Sequence, residues 1–219
     1  MIVKKDSKYN FYNRNAREIP FSYEGQVQTG SDTRDHMSNY TLLIASPTSV
    51  SNGGLTFAMN YVGYFFRVSL YLPAGKTYTS MELYADSEII PVKRSYDLLS
   101  STLAEKDVKY SNHLKVGLKN IKTTTEGQEV RVWVAFPYLI APGKTLKAVV
   151  KDSQGYVYVG DVYRGDKVFN LVSIVDDPKN GLERNAIYVL KATPVLTDGF
   201  TGGIEDWIND NQDYGGVAE

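Results

Sequence analysis

The chain has 219 residues, enough for one large or two small domains, and a hydrophobic content of 42% that can supply a packed core. A formal net charge of −1 excludes a global field that recruits nucleic acid or a membrane surface. The absence of cysteine excludes disulfides, thiolate catalysis and zinc–thiolate sites.

The N-terminal part of the chain combines a polar arm with short strands. Residues 1–39 are rich in Asn, Ser, Asp and Arg, and the pattern fits an extended arm or an irregular loop, with or without an edge strand. Beyond the arm, alternation of apolar and polar residues predicts half-buried strands. The predicted strands cover residues 40–45, 55–60 and 64–72, followed by a hairpin of residues 81–85 and 88–92.

One segment in the middle of the chain has no single predicted structure. Residues 96–106 fit either a short helix or a crossover loop, and the sequence pattern does not decide between them. The alternation resumes at residues 114–118, which predicts a further strand.

The strongest pattern lies at residues 129–162. In its first segment Val130, Val132 and Val134 fall on one face, while Arg131 and Trp133 fall on the other. Two similar segments follow, and turn residues separate all three. This pattern predicts a three-stranded antiparallel meander.

The C-terminal part completes the predicted strand count. Residues 163–185 predict a loop or small hairpin, and residues 186–193 predict the last strand. About ten short strands with almost no helix predict an all-β protein of the sandwich class. We place the domains at residues 1–105 and 106–200, with an acidic tail at residues 201–219.

No motif for catalysis or cofactor binding stands out. His36 and His113 lie in polar contexts without a metal-ligand partner at short spacing. Neither a nucleophile elbow nor a phosphate-binding glycine loop is present in the sequence. We therefore expect no enzyme, no catalytic residue, no metal site, no cofactor and no nucleic-acid partner.

Two groups of residues are candidates for binding. Trp133, Tyr156 and Tyr158 would form an outward aromatic platform for a sugar, and the alternative is ordinary cross-strand packing of the rings. The second group lies in the acidic tail, where large apolar residues can anchor a docking segment. These residues are Ile204, Trp207 and Ile208, and the sequence fits docking in trans as well as packing onto the parent domain.

A family resemblance enters through the order of several motifs. In the first half these motifs are Ile19-Pro20-Phe21, Gln28-Thr29-Gly30, residues 40–45, and residues 55–57 with residues 66–70. In the second half they are residues 132–137, 146–150 and 155–158, and the closing Gly-Ile-Glu-Asp-Trp of residues 203–207. In this order the chain resembles the fimbrillin-like (Mfa-like) pilins of Bacteroidetes.

The resemblance implies two transthyretin-like antiparallel β-sandwich domains, of which we expect the first to lack its leading strands here. It also implies a secreted lipoprotein precursor, with a signal segment and lipid anchor that we expect to be absent from this chain. The protein would then lie at the cell surface, in a fimbrium or on the outer membrane. Its partners would be other fimbrial subunits or copies of itself, with a host surface or glycan as a further ligand.

The resemblance further implies assembly by β-strand exchange after proteolysis at an arginine. Arg14 and Arg17 lie in a polar segment and are the candidate processing sites. The expected function is a structural or adhesive subunit of a bacterial cell-surface fimbria. The alternative function is a monomeric surface module that binds glycans.

Overall fold

The computed structural model describes residues 18–51, 54–97, 100–138, 143–171, 181–183 and 186–197; of residues 45–51 and 54–59 it describes the backbone only. These residues form short strands and one 3-10 helix, Asp35–Tyr40. The predicted all-β sandwich class is confirmed.

The strands follow one another closely along the chain. The first nine are β1 (Glu18–Ser22), β2 (Gln26–Thr29), β3 (Leu43–Ser51), β4 (Gly54–Tyr61), β5 (Gly63–Leu72), β6 (Thr77–Tyr84), β7 (Ile90–Asp97), β8 (Thr102–Leu103) and β9 (Lys109–Ser111). The remaining ten are β10 (His113–Lys122), β11 (Gln128–Pro137), β12 (Lys144–Thr145), β13 (Lys147–Asp152), β14 (Val157–Asp161), β15 (Tyr163–Arg164), β16 (Lys167–Val168), β17 (Asn170–Leu171), β18 (Ile187–Ala192) and β19 (Val195–Leu196).

Two larger sheets form the sandwich. One has six strands in the order β19-β14-β13-β6-β10-β2, and the other has five in the order β11-β5-β18-β15-β16. Most neighbours are antiparallel, but β2 pairs with β10, and β18 with β5, in parallel. Both sheets contribute fully buried side chains to one apolar core, including Phe66, Val68, Val132 and Phe136 from the five-stranded sheet and Met81, Leu83, Val116 and Val150 from the six-stranded sheet.

The predicted meander is divided between the two sheets. β13 and β14 are antiparallel neighbours, as expected, but β11 pairs with β5 in the opposite sheet. The chain therefore crosses from one sheet to the other between β11 and β13. Strands on the two sides of a sandwich core show the same inward apolar alternation, so alternation alone does not distinguish neighbouring strands from facing ones.

The predicted hairpin of residues 81–85 and 88–92 is not formed. β6 belongs to the six-stranded sheet, whereas β7 pairs with β1, β8 and β9 in a separate small sheet. Ile19 and Tyr96 of this small sheet pack with Leu42 and Val62 in a second apolar cluster. Residues 96–106 are predicted to form either a short helix or a crossover loop. The described residues of this segment contain the end of β7 and strand β8, and no helix.

Both large sheets draw strands from each side of residue 105. β6 lies between β10 and β13, and β5 lies between β11 and β18. The predicted division at residues 1–105 and 106–200 therefore does not coincide with a division between sheets. The predicted tail, residues 201–219, lies outside the described residues.

Candidate functional site

The outer edge of β11, away from β5, is closed by side chains rather than by a strand. Gln26 donates to the carbonyl of Ala135 (2.8 Å) and accepts from its N–H (2.9 Å). Gln28 accepts from the N–H of Trp133 (2.7 Å) and donates to the carbonyl of Arg131 (2.7 Å). A primary amide offers both a donor and an acceptor, as a peptide group does, so each glutamine replaces part of a neighbouring strand.

The segment after β2 completes this closed edge. The N–H of Arg131 donates to the hydroxyl of Ser31 (3.0 Å), and the N–H of Asp32 donates to the carbonyl of Arg131 (2.9 Å). His36 Nε2 lies 3.0 Å from the carbonyl of Trp133 and donates to it. The outward backbone groups of β11 at residues 131, 133 and 135 are therefore all satisfied, which removes this edge as a template for another strand.

Asp32 holds the side chain of Trp133 in place. Its Oδ1 accepts from the indole Nε1–H (2.8 Å), and its Oδ2 pairs with Arg131 (3.2 Å). Asp32 adopts a φ of 61°, a left-handed conformation that Asp tolerates better than most residues. Arg131 also binds both carboxylate oxygens of Glu129 at 2.9 Å, so one guanidinium joins the two acids.

These contacts change the acid–base properties of the cluster. The indole hydrogen bond from Trp133, together with Arg131, lowers the pKa of Asp32. Hydrogen bonds from Arg131 and Ser69 lower the pKa of Glu129. Burial lowers the pKa of His36, although its bond to the Trp133 carbonyl opposes this effect. At neutral pH the cluster therefore holds ionised carboxylates beside a neutral imidazole.

Next to this cluster lies an apolar pocket of about 260 Å³, which we call the Trp133 pocket. The sheet contributes Phe65, Trp133 and Ile187 to its lining. The 3-10 helix and the β3–β4 hairpin, with the residues that flank them, contribute Arg34, Met37, Ser38, Thr41, Leu43 and Tyr61. The guanidinium of Arg34 lies over the Trp133 ring, 5.1 Å from its centroid, at the rim of the pocket.

The far edge of β18, which we call the open edge, is left unpaired along part of its length by the residues that the structure describes. Phe65 N–H donates to the carbonyl of Ala186, so in this parallel ladder the even-numbered residues of β18 bond to β5. Ile187, Val189 and Lys191 therefore direct their backbone groups to the opposite edge. There β15 pairs with Lys191 alone, and no described residue bonds to the backbone of Ile187 or Val189.

The side chains at this open edge are apolar and exposed. Ile187 is 54% exposed and Val189 is 51% exposed, while Tyr188 and Leu190 face the core. Ile187 also forms one wall of the Trp133 pocket. An exposed apolar edge and an apolar pocket therefore adjoin each other on the outer face of the five-stranded sheet.

The three rings of the predicted glycan platform are not brought together. Trp133 lies in the five-stranded sheet and Tyr158 in the six-stranded sheet, and both are buried, at 6% and 2% exposed. Tyr158 donates to the carboxylate of Asp152 (3.2 Å) and packs edge-on against Tyr78. Tyr156 is the one exposed ring, and Lys76 lies over it at 4.7 Å. The rings separate because the chain changes sheets between β11 and β14.

The other predicted site residues lie outside the described part of the chain. These are the candidate processing sites Arg14 and Arg17 and the candidate docking residues Ile204, Trp207 and Ile208.

Sequence reasoning missed the residues that build this site, namely Gln26, Gln28, Asp32 and Arg34. One signal was available in β2, where two glutamines alternate with the more apolar Val27. The glutamines are buried and Val27 is exposed, the reverse of the usual pattern. Among the described residues, no three His, Asp or Glu side chains form a group that could hold a metal ion. The same residues contain no helix with the length and hydropathy to cross a membrane.

No family model matches the chain, and no curated protein matches it. One similar crystal structure is that of a candidate cell adhesion protein from Bacteroides ovatus, with a TM-score of 0.45 and 15% identity, covering 83% of this chain and 59% of that chain. Another is a candidate cell adhesion protein from Bacteroides uniformis, with a TM-score of 0.43 and 7% identity, covering 87% of this chain and 69% of that chain. At these TM-scores the likeness carries no argument about this chain.

Proposed function

We propose that this protein is a structural or adhesive subunit of a bacterial cell-surface fimbria, which joins its partners by β-strand addition and carries out no catalysis. The open edge of β18 is the observation that carries this proposal. The ordered resemblance to fimbrillin-like pilins supports it independently. We also propose that the protein is secreted as a lipoprotein precursor and that it lies at the cell surface.

The physical reason concerns unpaired backbone groups at a sheet edge. An open edge with apolar side chains favours an added strand, because main-chain hydrogen bonds supply affinity and side chains supply specificity. Proteins that avoid such pairing place lysine, proline or a bulge at the edge. Ile187 and Val189 are neither charged nor proline, and they are half exposed.

The proposed donor is the C-terminal segment with Ile204, Trp207 and Ile208, supplied by a second copy or another subunit. The proposed processing sites, Arg14 and Arg17, both precede β1, which starts at Glu18 and pairs with β7. Cleavage at either arginine would leave β1 in its sheet, so strand addition at β18 does not depend on removing β1.

The test is self-association of the full-length chain, measured by sedimentation velocity over a range of concentrations. We expect the wild type to form larger species, and both deletion of residues 202–219 and Val189→Lys to reduce them. The lysine places a charge at the open edge while leaving the even-numbered ladder to β5 intact.

Val195→Lys is the matched control, because Val195 is an exposed valine at the edge of the other sheet. It adds the same charge and should leave self-association unchanged. Equal association of the wild type, the tail deletion and Val189→Lys would refute the proposed mode of assembly.

A further inference from the structure

We propose that the Trp133 pocket recognises an acidic peptide segment, taking one bulky apolar side chain into the pocket and binding the carboxylate of a neighbouring Asp or Glu through Arg34. This inference rests on the proposed function and names the chemistry of the segment that the adjoining open edge receives.

Pocket size and lining indicate the apolar part of the ligand. A volume of about 260 Å³ is below the range of about 300–1,000 Å³ typical of sites for drug-sized ligands and cofactors. Phe65, Ile187 and Met37 contribute apolar surface to its lining. A single large side chain from a peptide matches this space and this chemistry.

The charge at the rim indicates the polar part of the ligand. Arg34 is exposed and makes no ion pair with any described acid, including its neighbour Asp35. The nearby acids Asp32 and Glu129 are already bound by Arg131. The guanidinium of Arg34 therefore has donors available for a carboxylate.

The open edge explains why the ligand is a peptide. Ile187 belongs both to the pocket wall and to the unpaired edge of β18. A strand added at that edge directs alternate side chains to the outer face of the sheet, beside Ile187. One of these side chains can enter the pocket, and an acidic residue two positions along the peptide, which points to the same face of the sheet, then lies near Arg34.

The probe is a synthetic peptide with the sequence of residues 202–209, Gly-Gly-Ile-Glu-Asp-Trp-Ile-Asn. The protein is the full-length chain labelled with ¹⁵N and carrying Trp207→Ser. This change removes the largest apolar side chain of the protein's own tail, which reduces competition with the peptide, and it leaves Trp133 as the sole indole, because the chain has 2 Trp. The unlabelled peptide is titrated while the Trp133 Nε1–H resonance is followed by NMR.

We expect a saturable shift of that resonance. In Arg34→Gln the affinity should fall about tenfold or more, the loss expected for a hydrogen bond between charged groups. A peptide with Gln and Asn in place of Glu and Asp should bind the parent protein as weakly as the acidic peptide binds Arg34→Gln. The affinity of this neutral peptide should not fall further in Arg34→Gln. Ile187→Asp, a substitution at a half-exposed position, should also lower the affinity for the acidic peptide.

Lys119→Gln is the matched control, because it removes one exposed positive charge from the other sheet. Its affinity for the acidic peptide should equal that of the parent protein. A peptide that produces no saturable shift, or that binds Arg34→Gln as tightly as the parent, overturns the inference. Self-association that remains sensitive to Val189→Lys would leave the proposed function standing in that case, so the two failures are distinguishable.

Discussion

At the scale of single residues, the closed edge of β11 depends on two glutamine side chains. Gln26 is 1% exposed and Gln28 is fully buried, and their amides bridge β2 of one sheet to β11 of the other. Removing an amide leaves buried backbone groups without partners, and each such group costs about 1–3 kcal/mol. Glutamine at these positions therefore stabilises the fold through hydrogen bonds that an apolar side chain of similar size cannot form.

We predict that Gln26→Leu lowers the free energy of unfolding by about 2–4 kcal/mol, because the N–H and the carbonyl of Ala135 both lose their partner. Urea unfolding followed by circular dichroism measures this change. Gln154→Leu, at an exposed glutamine, is the control and should change stability by less than about 0.5 kcal/mol. Equal effects of the two substitutions would show that the amide at Gln26 contributes nothing special.

Asp32 gives a second prediction, which concerns pH. Its pKa is lowered in the folded protein, so its ionised form stabilises the fold above the unfolded pKa of about 3.9. As the pH falls through the lower folded pKa, this contribution is lost. The stability difference between the wild type and Asp32→Asn should therefore be present at pH 7 and small at pH 2. Asp35→Asn, at an exposed acid in the same segment, should show no comparable difference in urea unfolding at the two pH values.

The residues of the pocket and the edge show the limit of sequence reasoning. The inward face of β11 was predictable because Val130, Val132 and Val134 alternate with polar or aromatic neighbours. The outer face was not, because Trp133 resembles a solvent-facing ring until the segment of Asp32 and Arg34 covers it. That contact joins residues about one hundred positions apart, and no local pattern encodes it.

At the scale of elements, strand positions were more predictable than strand partners. The alternation that predicted residues 64–72 and 186–193 corresponds to β5 and β18. Their parallel pairing was not predictable, because period-two alternation reports which face is buried and says nothing of strand direction. The same limitation placed β11, β13 and β14 in a single meander.

The parallel pairing of β18 with β5 predicts an alternating pattern of amide hydrogen exchange. The amides of Tyr188 and Leu190 bond to β5 and should exchange slowly, while those of Ile187 and Val189 should exchange quickly. Exchange followed by NMR on the full-length chain at low concentration measures all four. Slow exchange at Ile187 and Val189 under these conditions would mean that a strand already occupies the edge.

At the scale of the whole molecule, both sheets depend on strands from each half of the chain. β6 connects β10 with β13, and β5 connects β11 with β18. β5 and β6 both precede residue 105, and all four of these neighbours follow it, so the core of buried residues from both sheets forms as one unit. The sequence placed a domain boundary near residue 105 because the chain is locally irregular there, and local irregularity does not reveal which strands pair across it.

This organisation predicts cooperative unfolding. The full-length chain should lose its near-ultraviolet and far-ultraviolet circular dichroism in one coincident urea transition. The fragments 1–105 and 106–219, expressed separately, should lack a cooperative transition because each has lost the neighbours of its central strands. Two separate transitions in the full-length chain, or a cooperative transition in either fragment, would instead support independent domains.

The contrast between the two flanks of the five-stranded sheet has a consequence for symmetry. Side-chain amides satisfy the outward backbone groups of β11, whereas the described residues leave part of the β18 edge unpaired. Two copies that pair these β18 edges around a two-fold axis would leave no free edge of the five-stranded sheet for a third copy. A long fibre joined through this sheet therefore requires a connector other than direct pairing of two β18 edges, with each copy giving one such connector and accepting one.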